Sequence, residues 1–148
     1  MAKRIVAELM SETLAVCVPA STIENVAQLM AQHHCGEIPV VESFEHKVPV
    51  GVVTDRDIVC RLVAKGKDPL KVKADECMSQ PVIVVRADDS VDDAVSVMQR
   101  HQIRRVPVVD PDGVCVGMLA QADVARQAEE KVAKLVREVS RDTGSESR

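Results

Sequence analysis

The sequence predicts an α/β fold built from two copies of one strand, helix, strand, strand, helix unit. Two observations predict it. Short segments recur at a nearly constant offset along the 148-residue chain, and within each copy the apolar residues change from extended to helical spacing in the same order. Glu8-Leu9-Met10-Ser11 returns as Glu76-Cys77-Met78-Ser79, an offset of 68. At that offset the segment Ser21 to Met30 meets Asp89 to Met98, His33 meets His101, and Ile38-Pro39-Val40-Val41 meets Val106-Pro107-Val108-Val109. After a shorter connection in the second copy, Gly51-Val52-Val53-Thr54-Asp55-Arg56-Asp57 meets Gly117-Met118-Leu119-Ala120-Gln121-Ala122-Asp123 at an offset of 66. Two copies are too few for a solenoid, so a pseudo-twofold pair sharing one core is expected.

Each element follows from local chemistry. Leu14 to Val18 and Val82 to Val85 are short apolar, β-branched runs, hence strands. Ser21-x-x-Glu24 and Asp89-x-x-Asp92 resemble capping boxes that open a helix. Ile23, Val26, Ala27, Met30 and their counterparts Val91, Ala94, Val95, Met98 form its apolar stripe. Ile38–Val41 with Val48–Thr54, and Val106–Val109 with Val114–Leu119 around Pro111-Asp112-Gly113, read as hairpins. A second helix starts near Asp55 and near Gln121. In the second copy it is long: Val124, Ala128, Val132, Leu135, Val136 and Val139 extend its stripe, which either packs on its own domain or invites a dimer contact. The boundaries expected are 1–68 for the first repeat, 69–127 for the second, and 128–148 for a helical extension with a polar tail from 140.

Composition narrows the function. Nineteen Lys and Arg stand against 23 Asp and Glu, a formal net charge of −4, which gives no general attraction to nucleic acid or anionic membranes. Phe44 is the sole aromatic residue, so stacking platforms for bases are absent and a flat ligand must be held by aliphatic groups. Five cysteines (Cys17, Cys35, Cys60, Cys77, Cys115) without a CxxC pair or zinc-finger spacing read as reduced thiols. No run approaches the ~20 apolar residues of a membrane span, and the start lacks a signal-like apolar stretch. A cytoplasmic protein without membrane or nucleic-acid partners is expected.

Taken together, the twofold repeat, Ile38-Pro39-Val40-Val41, Val106-Pro107-Val108-Val109-Asp110 and above all Gly51-Val-Val-Thr54-Asp-Arg-Asp57 resemble the cystathionine-β-synthase (CBS) domain pair, or Bateman module, over about residues 5–127. The Gly-x-x-Thr-x-x-Asp segment is similar to that family's nucleotide signature. The resemblance implies a pseudo-symmetric module with two clefts between the repeats. Those clefts bind AMP, ADP or ATP, with S-adenosylmethionine the less expected ligand, in a regulatory rather than catalytic role and commonly in a homodimer.

The residue chemistry bears on that implication independently. A strand-to-helix junction offers free backbone amides and a positive dipole end. Thr54 there can donate its hydroxyl to a phosphate, and the acceptor-only carboxylate of Asp57 can take both hydroxyls of a ribose. The same Thr-x-x-Asp spacing is also a capping box that needs no ligand. By the resemblance, the Thr54–Asp57 cleft is completed from the other repeat by Val82, Ile83, Ile103, Arg104 and Arg105. Val82 and Ile83 would hold the adenine, and the arginines would supply charge for phosphate or serve as solvated edge charges. Strand alternation allows at most one of the two to face phosphate unless the strand is irregular there.

The second cleft, that of Asp123, would draw on Ala15, Val16, Cys35, Gly36 and Glu37. It departs from the pattern, because Ala120 lacks the hydroxyl, Gly36 and Glu37 stand where the other copy has Arg104 and Arg105, and Glu37 would repel phosphate. The two clefts are therefore expected to be unequal. His33-His34, Cys35 and the Asp88-Asp89 and Asp92-Asp93 pairs read as structural or surface groups, with no metal and no catalytic constellation. The expected function is a module that senses an adenosine-containing nucleotide and signals to a separate, unidentified effector protein. The alternative is a nucleotide-independent dimeric scaffold in which Thr54 and Asp57 only cap a helix.

Overall fold

The computed structural model describes residues 4–12 and 15–146, with side chains to 140. In chain order the elements are α1 (Ile23–His33), β1 (Glu37–Val41), β2 (Pro49–Thr54), α2 (Asp55–Arg61), β3 (Val85–Arg86), α3 (Val91–His101), β4 (Arg105–Val109), β5 (Cys115–Ala120) and α4 (Gln121–Glu146), with one 3-10 turn before α1 and three between α2 and β3. The strands form a two-stranded sheet, β1-β2, and a three-stranded sheet, β3-β4-β5. Both hairpins are antiparallel and in the same register, Glu37 opposite Thr54 and Arg105 opposite Ala120.

The opening strands are shorter than expected. Leu14 lies outside the described residues, and among the described residues of this segment in the first copy only Cys17 joins the sheet, by a parallel bridge to Val40. In the second copy the strand is Val85–Arg86 rather than Val82–Val85, running parallel to β4. Proline explains the difference between copies. Ala87 donates its backbone N–H to Val109 O at 2.9 Å, a bond that Pro19, its counterpart, has no N–H to make.

Helix starts also differ by one residue from the expected capping boxes. Thr22 caps α1 and Ser90 caps α3, each side-chain oxygen accepting from the N–H three residues on. Ser21 and Asp89 instead accept from the backbone N–H of Val18 and Arg86 and close the preceding turn. The buried faces are Ile23, Val26, Met30 on α1 and Val91, Ala94, Met98 on α3. Both helices end on a left-handed residue, His34 and Gln102, after which the chain turns into β1 or β4. The α4 helix runs to Glu146, where a polar tail from 140 was expected, and leaves Val132, Leu135, Val136 and Val139 exposed.

Each copy's lead segment packs on the other copy. Val6 is buried with Val85, Ala94, Met98, Val106, Val108 and Leu119 of the second repeat. Ala74 and Cys77 are buried with Ile23, Val26, Ile38 and Val53 of the first. Backbone pairs fix the exchange: Met118 N to Ser11 O at 3.0 Å on one side, Ser79 N to Val52 O at 2.7 Å on the other. The repeated glycines make room for it. A Cβ on Gly51 would stand 2.8 Å from Met78 Sδ and 3.0 Å from Ser79 O, and one on Gly117 would stand 2.7 Å from Ser11 O and 2.8 Å from Met10 Sδ. The repeated Met-Ser pair and the repeated glycine are thus two halves of one contact, made twice.

Candidate functional site: the cleft between the repeats

Thr54 ends β2 and Asp57 lies one turn into α2, joined by a complete capping box. Thr54 Oγ1 accepts from the Asp57 N–H and Asp57 Oδ2 accepts from the Thr54 N–H, both at 3.0 Å. Ser79, brought in by the exchanged lead segment, donates its hydroxyl to Asp57 Oδ2 at 3.2 Å. Arg61 Nε lies 3.6 Å from Asp57 Oδ1, while Arg61 Nη1 donates to the carbonyls of Cys77 and Met78. The Asp57 carboxylate is therefore oriented from three elements, with its side chain 13% exposed. Oδ2 carries the cap and the shorter Ser79 contact, while Oδ1, 3.4 Å from the same hydroxyl, keeps further lone-pair capacity beside the Arg61 charge.

Two adjoining cavities open at this point. One of about 350 Å³ is lined by Glu37 and Val52 of the first sheet, Ser79, Pro81 and Ile83 of the connection, and His101, Ile103, Arg105 and Pro107 of the second copy. A wider one of about 980 Å³ lies between Thr54, Asp55, Arg56, Val59 and Cys60 on one side and Gln102, Ile103, Arg104 and Arg105 on the other. Glu37, Ile103 and Arg105 line both. The smaller space has a mainly aliphatic lining; the wider one gathers three guanidinium groups.

Of the residues expected at the first cleft, Thr54, Ile83, Ile103, Arg104 and Arg105 line these cavities, and Asp57 sits behind them, bonded to Ser79. Val82 is half-buried and lines neither. Both arginines line the wide cavity because Arg104 precedes the first strand residue of β4, so alternation does not separate them.

The residues expected at the second cleft are not gathered in these cavities. Ala15, Val16, Cys35 and Asp123 line neither of them. Asp123 caps its own helix, accepting from the Ala120 N–H and from Arg126 at 3.0 Å each. Glu37, expected there, instead faces the first cleft, and Gly36 lies beside it: a Cβ on Gly36 would stand 2.8 Å from Asp55 Oδ2 and 2.9 Å from Arg105 Nη1. The reason is the pseudo-twofold relation, which brings the starts of β1 and β4 to one central space. A separate cavity of about 470 Å³ lies within the second repeat, between the end of α3 and the start of α4.

The electrostatics single out Glu37. It is 8% exposed, and its Oε2 is buried with no hydrogen-bond partner among the described residues. Burial pushes its carboxyl up to about 7; the Arg105 guanidinium opposes the rise, and Asp57 and Asp55 add to it. Burial likewise raises the Cys17, Cys77 and Cys115 thiols, which keeps them protonated and inert. Sequence reasoning missed Ser79, Arg56, Gln102 and His101. Ser79 carried a signal, as part of the repeated Met-Ser pair; Arg56, lying between Thr54 and Asp57, carried another.

This is an α/β pair module whose cleft is assembled from both copies. The family model for the CBS domain matches residues 6–64 and 74–130, and the chain belongs to the CBS domain family. Among curated relatives, an uncharacterized protein of Methanopyrus kandleri is 36% identical over 123 residues, 83% of this chain and 62% of that protein. The chain thus spans less than two thirds of that relative. The CBS domain-containing protein YhcV of Bacillus subtilis is 40% identical over 120 residues, 81% of this chain and 82% of that protein. The solved CBS domain pair of protein MJ0100, in complex with 5′-methylthioadenosine and S-adenosyl-L-methionine, superposes with a TM-score of 0.78 at 27% identity, covering 88% of this chain and 99% of that one. CBSX2 in complex with AMP gives a TM-score of 0.71 at 26% identity, covering 85% and 96%. No helix among the described residues is long and apolar enough to cross a membrane.

Proposed function

We propose that this chain is a regulatory, non-catalytic module that binds an adenosine-containing nucleotide (AMP, ADP or ATP) in the Thr54–Asp57 cleft and passes the signal to a separate protein. The observation that carries the reading is the pair of adjoining cavities lined from both repeats: an aliphatic one of about 350 Å³ for the nucleoside and a wider one holding Arg56, Arg104 and Arg105 for phosphate. In this reading Ile83 and Ile103 hold the base, Asp57 Oδ1 accepts from the ribose, and the Thr54 hydroxyl and the arginines hold the phosphates. The complexes of MJ0100 and CBSX2 with adenosine compounds support it by similarity. Because the ligand touches both copies, occupancy changes how they sit together to the extent that affinities differ between arrangements. A homodimer that uses the exposed α4 stripe, in the cytoplasm, completes the proposal.

A second reading has its own observation. The Thr54–Asp57 capping box is complete without a ligand, as a nucleotide-independent dimeric scaffold requires.

A thermal-shift series with AMP, ADP, ATP, S-adenosylmethionine and GTP separates the two. A ligand at 100 times its Kd adds about 2.7 kcal/mol to the unfolding free energy. The sensor predicts such a shift with an adenine nucleotide, and Arg104→Ala with Arg105→Ala weakens ATP more than adenosine. No shift with any adenosine compound favours the scaffold.

A further inference from the structure

Glu37 is a buried carboxyl on the floor of a cleft, and neither the fold nor the proposed nucleotide contacts use it. It is the first residue of β1, it lines both cavities, and its Oε2 has no partner among the described residues. The groups that face it come from three elements: Asp55 and Asp57 from α2, Arg105 from β4, and His101 from α3 across the smaller cavity, with Arg56 and Arg104 on the wider one. Arg105 forms no ion pair with it. A buried carboxylate with no ion pair and one oxygen unpartnered among the described residues is costly enough to favour its protonated form.

We propose that Glu37 is a charge gate on the cleft: as a neutral acid it donates a hydrogen bond into the space shared by the two cavities, and on losing its proton it disfavours any anionic ligand there. The inference rests on the nucleotide reading of the cleft and adds what controls it. Phosphate-bearing adenosine ligands are held below neutrality and released as the pH rises, whereas uncharged adenosine is much less affected. Burial pushes the Glu37 carboxyl up to about 7, so the cleft changes charge within the neutral range.

The test is calorimetric binding at pH 6 and pH 8 of two probes, adenosine and the methyl ester of AMP, whose single phosphate charge does not titrate in that range. Wild type, Glu37→Gln and His101→Asn are compared. The gate predicts that wild type loses about tenfold in affinity for the ester between the two pH values, and loses clearly less for adenosine. Glu37→Gln binds the ester with flat affinity, and His101→Asn keeps the wild-type dependence. A flat wild type, an equal loss for adenosine, or a Glu37→Gln variant that keeps the full dependence overturns the gate alone. If neither probe binds any of the three proteins at either pH, the nucleotide reading falls and takes the gate with it.

Discussion

Glu37 and Arg105 occupy equivalent positions in the two copies, 68 residues apart, and line the same two cavities. A pseudo-twofold axis brings such pairs together wherever they lie close to it. Here one copy carries an acid and the other a base, so the centre of the module is electrostatically asymmetric although the two hairpins share one register. Burial favours the proton on the acid, and Asp57 and Asp55 on the same side add to that effect against the opposing Arg105 charge.

That asymmetry has a consequence for stability. Glu37 has its carboxyl raised from 4.5 to about 7 in the folded chain, so between those values the folded state binds the proton and the unfolded state does not. Its contribution is complete below about pH 4.5 and is lost as the pH rises through 7. Glu37→Gln removes the titration. Chemical denaturation should show the variant gaining on the order of 2 kcal/mol relative to wild type between pH 5 and pH 8; the same difference at both pH values contradicts the burial account.

The exchange of lead segments predicts a cost for two small substitutions. Gly51→Ala and Gly117→Ala each place a methyl group against a methionine sulfur and a backbone carbonyl of the other copy. Each should destabilise by about 1–3 kcal/mol, as overpacking does, and lower the melting temperature accordingly. An unchanged Tm for both means that the contact between copies is looser than described.

Cys60 offers a label on the wide cavity. It is exposed and lines that cavity, while Cys17, Cys77 and Cys115 are buried. Maleimide should modify Cys60 quickly in the native chain and reach the three buried thiols only on unfolding. ATP should slow modification of Cys60 several-fold without changing that of Cys35. Equal rates with and without ATP place the nucleotide elsewhere.

Much of this architecture could be read from local patterns. Helical stripes such as Ile23, Val26, Met30 and turns such as Pro111-Asp112-Gly113 depend on neighbours a few residues away, and the offset between copies carries each reading to its twin. Contacts across the axis left weaker traces. Nothing in the residues around Val6 or Cys77 says on which copy they pack, and Glu37 reads as a second-cleft residue until the two β-strand starts are seen to share one space. The short first strand was legible in principle, because Pro19 lacks the N–H that Ala87 uses. Ser79, which fixes the Asp57 carboxylate, was visible only as a repeated letter.

The role of Asp57 is where the sensor and the scaffold differ most. Asp57→Asn keeps a side-chain oxygen to accept from the Thr54 N–H, and so keeps the cap, but replaces the other oxygen with a donor that cannot accept from a ribose hydroxyl. Calorimetry of AMP and ATP with wild type and Asp57→Asn, alongside their melting temperatures, is the direct measurement. The account predicts micromolar or tighter binding to wild type and a loss of about tenfold or more in the variant, as for a charge-assisted hydrogen bond of 1.5–3 kcal/mol, with Tm within a few degrees. Equal binding by the two proteins, or none by wild type, would contradict it.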